Sequence, residues 1–417
     1  MERVTTATEL QALPSFAATL DIDPFGFYER AREQKVVWDE GVNAWLVTSY
    51  DELREVMRQD KKLVRHAVAD IPDDALHTIS GGKRSRLLLH GPEHAAHHRW
   101  FVHRFTYTLV DQWRETLLRP IADKLLDQVA ASGQVEILRD YSDKFSIRVI
   151  AAVMGLPWED DDWINYCKGL LDRKQRYLDL YFTSPGPEVE KNALDAVVEM
   201  NELLLPFVMA AKERPPKADD VLALLWSDGP SIMPDWGLED MQAWIATTFF
   251  AGTDTTTHAI QNAIYLLLQN PELQEEVRTG GPETLERYAE EVLRLYPSVH
   301  FTRRLANQDF ELAGAHIKKD DRMLMLDASA NRDAQRFGCP ADVDLQRDRW
   351  REHMAFSVGP RTCAGAALAR AEIQESVARL LDRFSPITLD PDADAPQLRG
   401  FLLRSYRPLH AVFTPTA

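Results

Sequence analysis

The chain has 417 residues, 45% hydrophobic and 27% charged, enough to bury a large core, with 65 acidic against 48 basic residues for a formal net charge of −17. That balance argues against a nucleic-acid surface or an anionic membrane as the main partner, while leaving room for a local basic patch. The three cysteines, Cys167, Cys339 and Cys363, have neither metal-clip nor disulfide spacing, which points to a reducing compartment. The first ten residues lack the apolar core of a signal peptide and no run reaches membrane-spanning length, so the expectation is a soluble, cytoplasmic protein without a membrane anchor.

Residues 1–22 carry no clear pattern and read as irregular. An aromatic-rich helix is predicted over Asp23–Glu33, short strands over Val36–Trp38 and Ala44–Ser49 around Glu40-Gly41, and a helix over Tyr50–Gln59. Residues 61–89 read as one long irregular loop, and Gly81-Gly82-Lys83 lacks the upstream glycine and the following hydroxyl of a phosphate loop. A helix opens at His90, with Pro92 in its first turn and Glu93 complementing the dipole. His94 and His98, four apart, share a face of it, with His97, Arg99, His103 and Arg104 adding positive potential. From 110 to 225 the periodicity is helical almost throughout, punctuated by prolines, and the aromatic-rich stretch 167–190 is ordinary helix packing or a lid.

The longest helical stretch is predicted over 238–269, ended by Asn270-Pro271. Its middle, Ala251-Gly-Thr-Asp-Thr-Thr-Thr, puts a glycine, back-bonding threonines and a carboxylate where each works against a straight helix, a local conflict of the kind that marks functional sites. Glu291 and Arg294 lie three apart on one helix face. Residues 301–314 alternate like strands with a turn at Gly314, and the chain closes with a hairpin around Gly400–Arg404 and a strand ending at Phe413.

One stretch organises the rest: Phe356-Ser-Val-Gly-Pro-Arg-Thr-Cys-Ala-Gly365, a single cysteine in a loop just ahead of a strongly helical run. A thiolate there sits at a helix N-terminus, where unpaired N–H groups and the dipole favour negative charge. Gly359 and Gly365 admit backbone shapes closed to other residues, and Gly365 lets something flat and bulky come close. The Phe-x-x-Gly-x-Arg-x-Cys-x-Gly pattern resembles the haem-binding loop of the cytochrome P-450 family, and the resemblance extends from about residue 23 to the end.

That resemblance implies a mainly α fold with a small β-rich region, one domain over 1–417, and haem b held between the 238–269 helix and the Cys363 loop. Cys363 would be the metal ligand. Phe356, Gly359, Arg361 and Gly365 on the loop, and Ala251 and Gly252 on the helix, would surround the cofactor. Arg304 and His94 fall at propionate-binding positions. The second contact of the histidine helix is expected at His98 or Arg99, because His98 stands where family members carry arginine, and Arg303 is expected to point outward. Asp254 and Thr255 match the acid–alcohol pair that organises proton delivery to dioxygen. Glu291, Arg294 and Arg347 match a structural triad bracing the loop, with Val343 where phenylalanine is more usual. By position, Thr247, Thr248, Phe250, Val299, His300, Thr302, Phe401 and Leu402 would line the substrate pocket, together with the 61–89 loop and the tip of the last hairpin, and His300 would meet a polar handle on the substrate.

The implied activity is oxygen insertion into a small, mostly apolar molecule such as a terpenoid or substituted aromatic. No dinucleotide or flavin module is evident, so electrons would come from a ferredoxin and its reductase, docking on the basic face of Cys363, Arg361, Arg370 and the 97–104 helix of a monomer. The alternatives are a peroxide-driven oxidase or isomerase on the same scaffold, a haem-based gas or ligand sensor, and a thiol hydrolase with Cys363 as nucleophile.

Overall fold

The computed structural model describes residues 14–60, 62–66, 75–82, 84–181, 185–217 and 219–416, and the side chains of 66, 76 and 77 are outside this set. The architecture is built around one helix, Leu238–Gln269, which is apolar or small on almost every face and therefore buried along most of its length. Asp240 fixes its start, its carboxylate accepting the Gly237 N–H at 2.8 Å. Its end is set by Asn270, whose side chain accepts the Leu273 N–H at 3.0 Å and so caps the next helix, which begins at Pro271. The helix is continuous through 251–257. The expected distortion is absent because Thr253 and Thr255 donate their hydroxyls to the carbonyls of Phe249 (2.8 Å) and Ala251 (2.7 Å) without breaking the ladder.

Four helices pack on this axis: Asp143–Val153, Pro187–Lys212, Gly281–Leu295 and Ala366–Arg383. Gly252 is required by the first of these contacts. A Cβ there would lie 2.9 Å from Ile150 Cδ1, so glycine lets the two helices touch. The helix Asp161–Leu180 packs against Pro187–Lys212, which answers the packing-or-lid question for 167–180 in favour of packing; residues 182–184 lie outside the described set.

A five-stranded sheet runs in the order Val36–Asp39, Ala44–Val47, Arg322–Met325, Thr302–Ala306, Val64–His66, joining the start of the chain to its last third. Its edge strand Val64–His66 and the short helix Ala75–Ile79 correct the reading of 61–89 as wholly irregular: His66 pairs with Arg304 across the sheet, a partner 238 positions away that no local pattern reveals. Residues 14–22 are likewise structured in part. Phe16 opens a short 3₁₀ turn and is fully buried against Phe27, Phe301 and Phe401. A three-stranded sheet pairs Gln134–Glu136 and Phe384–Leu389 with His410–Pro415, and the hairpin Gln397–Gly400/Arg404–Arg407 carries Phe401–Leu403 at its tip.

Candidate active site

The central helix, the strand Thr302–Ala306, the histidine helix Gly91–Arg104 and the loop 354–365 enclose a cavity of about 370 Å³. Cys363 faces it. Its N–H donates to the Phe356 carbonyl at 2.8 Å, closing the loop, and the helix Ala366–Arg383 starts just beyond Gly365. Gly359 has φ +78, and a Cβ there would come within 2.6 Å of the Met57 carbonyl, so its glycine is needed for the fold; it does not line the cavity. Gly365, with φ −87, is unstrained, against the expectation of a special backbone shape; it lines the cavity and its amide donates to the Cys363 sulfur. Burial pushes the thiol above its ordinary value, against the pull of Gly365, Arg86 and Arg370. The helix N-terminus alone therefore does not ionise Cys363, and a bound metal cation is what would release its proton.

Beneath the loop, two neighbouring carboxylates of one helix brace it from two sides. Glu291 accepts from Arg294 Nη2 at 2.7 Å and from Arg347 Nε at 2.7 Å, and Arg294 donates on to the carbonyls of Asn331, Pro340 and Asp342. All three side chains are buried, and the backbone carbonyls complete the guanidinium's hydrogen bonds. Glu290, which sequence reasoning missed, bonds His353 Nε2 at 2.8 Å and Arg370, whose guanidinium lies 4.4 Å over the Phe356 ring. Burial works against its ionisation, but the bonds from His353 and Arg370 outweigh it and bring the carboxyl down to about 2.

On the other side of the cavity lie Ala251, Gly252, Thr255 and Thr256 of the central helix. Asp254 points away from the cavity, 3% exposed, with Oδ1 3.7 Å from Lys168 Nζ and Oδ2 without a hydrogen bond. Lys168 also meets Asp143 (3.6 Å) and the exposed Asp172. Burial raises the carboxyls of Asp254 and of Asp143, the latter to about 7, while the three acids together hold the Lys168 ammonium above the usual lysine range against its own burial. Burial thus favours the protonated form of both carboxyls, in a cluster that Lys168 joins to the exposed Asp172.

The cavity fits a flat, dianionic cofactor. Arg304 and Arg361 reach it and share one buried carboxylate, Asp60, at 3.3 and 2.8 Å. Arg86 also lines it, over the Phe101 ring at 4.3 Å and with no carboxylate at ion-pair distance among the described residues. With Arg303, four guanidiniums line the cavity and Asp60 pairs with two of them, so the wall carries an excess of positive charge of the kind haem propionates would neutralise. His94 and His98 line the same wall with stacked rings. Burial lowers both imidazoles, His94 to about 3, so at neutral pH they can donate hydrogen bonds but carry no charge. Both therefore stay candidates for hydrogen bonds to the propionates, with the permanent charge coming from the arginines. Arg99 is exposed and outside the cavity, on the outer face of its helix, whereas Arg86, just ahead of that helix, lines it. Arg303, expected outward, also lines the cavity, near the Tyr181 ring. Arg86→Gln is expected to speed haem loss to excess apomyoglobin by about tenfold or more.

Of the expected substrate-pocket residues, Thr248, Val299, Thr302 and Leu402 line the cavity. His300 does not. It is fully buried, its Nδ1 2.9 Å from the Tyr28 hydroxyl, because it follows Val299 on extended chain and so faces the opposite side. Phe401, at the bend of the hairpin tip, is turned into the aromatic cluster around Phe16 while its neighbour Leu402 lines the cavity. Thr247 faces a neighbouring cavity, and Phe250 packs against Lys174. An unexpected member is Asp327, buried beside Thr302 and Arg304, where burial pushes its carboxyl up to about 8. The docking face is also narrower than expected. Arg361 and Arg370 are committed to Asp60 and Glu290 and His97 is buried, leaving Arg99 and His103 exposed beside Val102 and Tyr107.

Among the described residues no helix is long and apolar enough to cross a membrane, and no group of three or more His, Cys, Asp or Glu side chains could hold a metal ion. A fold of this kind is found in solved structures: epothilone B-bound cytochrome P450epoK superposes with a TM-score of 0.82 at 25% identity, covering 97% of this chain and 98% of that one. The crystal structure of CalO2, at 23% identity, shares the fold with a TM-score of 0.83, covering 95% of this chain and 97% of that one. In sequence, the epothilone C/D epoxidase of Sorangium cellulosum is 31% identical over 90% of this chain and 89% of its own length. The mycinamicin VIII C21 methyl hydroxylase of Micromonospora griseorubida is 27% identical over 87% and 88%. The family model for cytochrome P450 matches residues 36–412. With the thiol loop, the buried cations and the relative sequences in agreement, the chain belongs to the cytochrome P450 family and is a haem b-binding monooxygenase of that family.

Proposed function

We propose that this monooxygenase hydroxylates or epoxidises a mostly apolar natural product, of terpenoid or substituted-aromatic character, within a single domain spanning the chain. The observation that carries the reading is the pairing of a cavity-lining hydroxyl, Thr255, with the Asp254–Lys168–Asp172 chain of polar groups, which runs from solvent to the residue next to it on the central helix. The relatives named for epoxidation and hydroxylation of epothilones and mycinamicins support hydroxylation or epoxidation of a natural product, without bearing on its terpenoid or aromatic character.

Haem, held through Cys363 with Arg86, Arg304 and Arg361 about its propionates, supplies dioxygen activation when bound. The chain's own residues do the rest. Phe356 and Ala364 cover the sulfur side, Ala251 and Gly252 keep the opposite wall low, and Thr255 holds a proton at Oγ1 for delivery into the cavity. Asp254 re-protonates it: its free Oδ2 can turn toward Thr255 while Lys168 and Asp172 link the carboxyl to solvent. Thr248, Thr302 and the protonated Asp327 offer the polar contacts to substrate that His300 was expected to make. Electrons come one at a time from a ferredoxin-type protein docking at Arg99 and His103, with Val102 and Tyr107 as its apolar contacts.

The test is turnover with a ferredoxin and its reductase on substrates that shift the ferric Soret band. Asp254→Asn is expected to lower the rate about 10²-fold while leaving the spin-shift affinity unchanged. An unaffected Asp254→Asn rate, or substrate binding without electron uptake, would favour the peroxide-driven or sensor readings.

A further inference from the structure

Lys174 has no role in the account so far, and its position is costly. It is 4% exposed, on the helix Asp161–Leu180, with its ammonium 4.5 Å from the centroid of the Phe250 ring. Among the described residues it has no hydrogen bond and no carboxylate at ion-pair distance. Burying an uncompensated ammonium costs several kcal/mol, of which a cation–π contact returns about 2 at most. Burial draws the ammonium down to about 8, with Asp254 as the one opposing charge, so it stays mostly charged at neutral pH.

The side chain lines a second cavity, about 400 Å³, walled by Thr78, Gly81, Asn201, Gln242 and Thr247. The other charges there are accounted for. Arg84 is held by Asp240 at 2.6 Å and Asp235 at 3.0 Å, and Glu239 lies on the wall beyond ion-pair distance of Lys174. This cavity abuts the main one. Thr247 and Thr248 are adjacent on the central helix and face the two cavities in turn, as do Arg84 and Arg86 on the neighbouring loop, and in the partition Ser85 Oγ meets Thr247 Oγ1 at 3.3 Å. From Phe250 to Thr255 the helix advances about 7.5 Å, so an occupant reaching from Lys174 to the oxygen-side hydroxyl spans roughly 10 Å.

We propose that the cavity beside Lys174 is a subsite for the anionic end of the substrate, a carboxylate on an otherwise apolar molecule, held by the ammonium while the carbon to be oxidised lies beside Thr255. The proposal rests on the monooxygenase reading and names the substrate class. A neutral terpenoid would leave Lys174 without a counter-ion; an apolar acid completes it, and the Phe250 ring supports both the cation and the apolar chain.

The experiment uses the ferric holoenzyme and three probes that differ only in their head group: dodecanoate, dodecan-1-ol and dodecyltrimethylammonium. Binding is read from the Soret band and, independently, by calorimetry. In the natural protein dodecanoate is expected to bind about tenfold more tightly than the alcohol, and the ammonium compound more weakly than either. Lys174→Met should bring acid and alcohol within about twofold of one another, and Lys174→Arg should keep most of the preference. Equal binding of acid and alcohol by the natural protein, a preference that survives Lys174→Met, or no saturable binding of the acid would each overturn the proposal. A reduced, carbon monoxide-bound spectrum taken first on the same sample reports separately on the haem-thiolate reading.

Discussion

Cys363→Ala is expected to abolish oxygen insertion while leaving the stability of the polypeptide nearly untouched. The side chain faces the cavity, so its sulfur contributes little packing, and its loss should change the unfolding free energy of the haem-free chain by no more than about 0.5 kcal/mol. The loop keeps its shape because its closing bond, Cys363 N–H to the Phe356 carbonyl, belongs to the backbone. What disappears is the thiolate. Turnover should fall below detection, and the reduced, carbon monoxide-bound spectrum should lose the far-shifted Soret band of a thiolate-ligated haem. Retained turnover would mean that another group serves the metal.

Glu291→Ala should do the reverse, costing the fold before the chemistry. The carboxylate is 1% exposed and neutralises two guanidiniums that are themselves buried, so its removal leaves uncompensated charge in the interior. Breaking a buried pair in this way costs about 3–5 kcal/mol, which denaturant titration would read as a large fall in midpoint. Arg347→Ala, which leaves the Glu291–Arg294 pair in place, should cost less, about 1–3 kcal/mol. Equal losses in the two variants would show that Arg347, rather than the pair, holds the structure.

Features that depend on neighbours in sequence were legible without the structure. Asn270-Pro271 fixes the end of the central helix, and the fixed residues around Cys363 mark the thiol loop, since caps and tight loops are decided within a few residues. What was hidden depends on partners far along the chain. Asp60 sits 244 positions from Arg304 and 301 from Arg361, and Arg86 finds its cavity only once the 75–89 segment is laid over the central helix. His300 and Phe401 failed for a different reason. Each stands beside a residue that does reach the cavity, Val299 and Leu402, and which of two neighbours does so is set by the path of the chain around the Val299–Leu403 bridge rather than by residue type. The Lys168 cluster was missed because lysine on a helix reads as solvated surface until the acids around it are known.

The adjacency of Glu290 and Glu291 also sets where this chain can accept extra residues. Consecutive positions on a helix point about 100° apart, and here each serves a different set of partners, His353 and Arg370 for one, Arg294 and Arg347 for the other. A single inserted residue between Glu291 and Arg294 would turn Arg294 about 100° away from Glu291, while Glu290 and Glu291 stay bound to their other partners. The turn around Lys212–Lys217, exposed and tied down only by surface contacts such as Arg214 with Asp220, marks the opposite extreme, a place where a peptide tag or an added domain could be carried at little cost to the centre of the molecule.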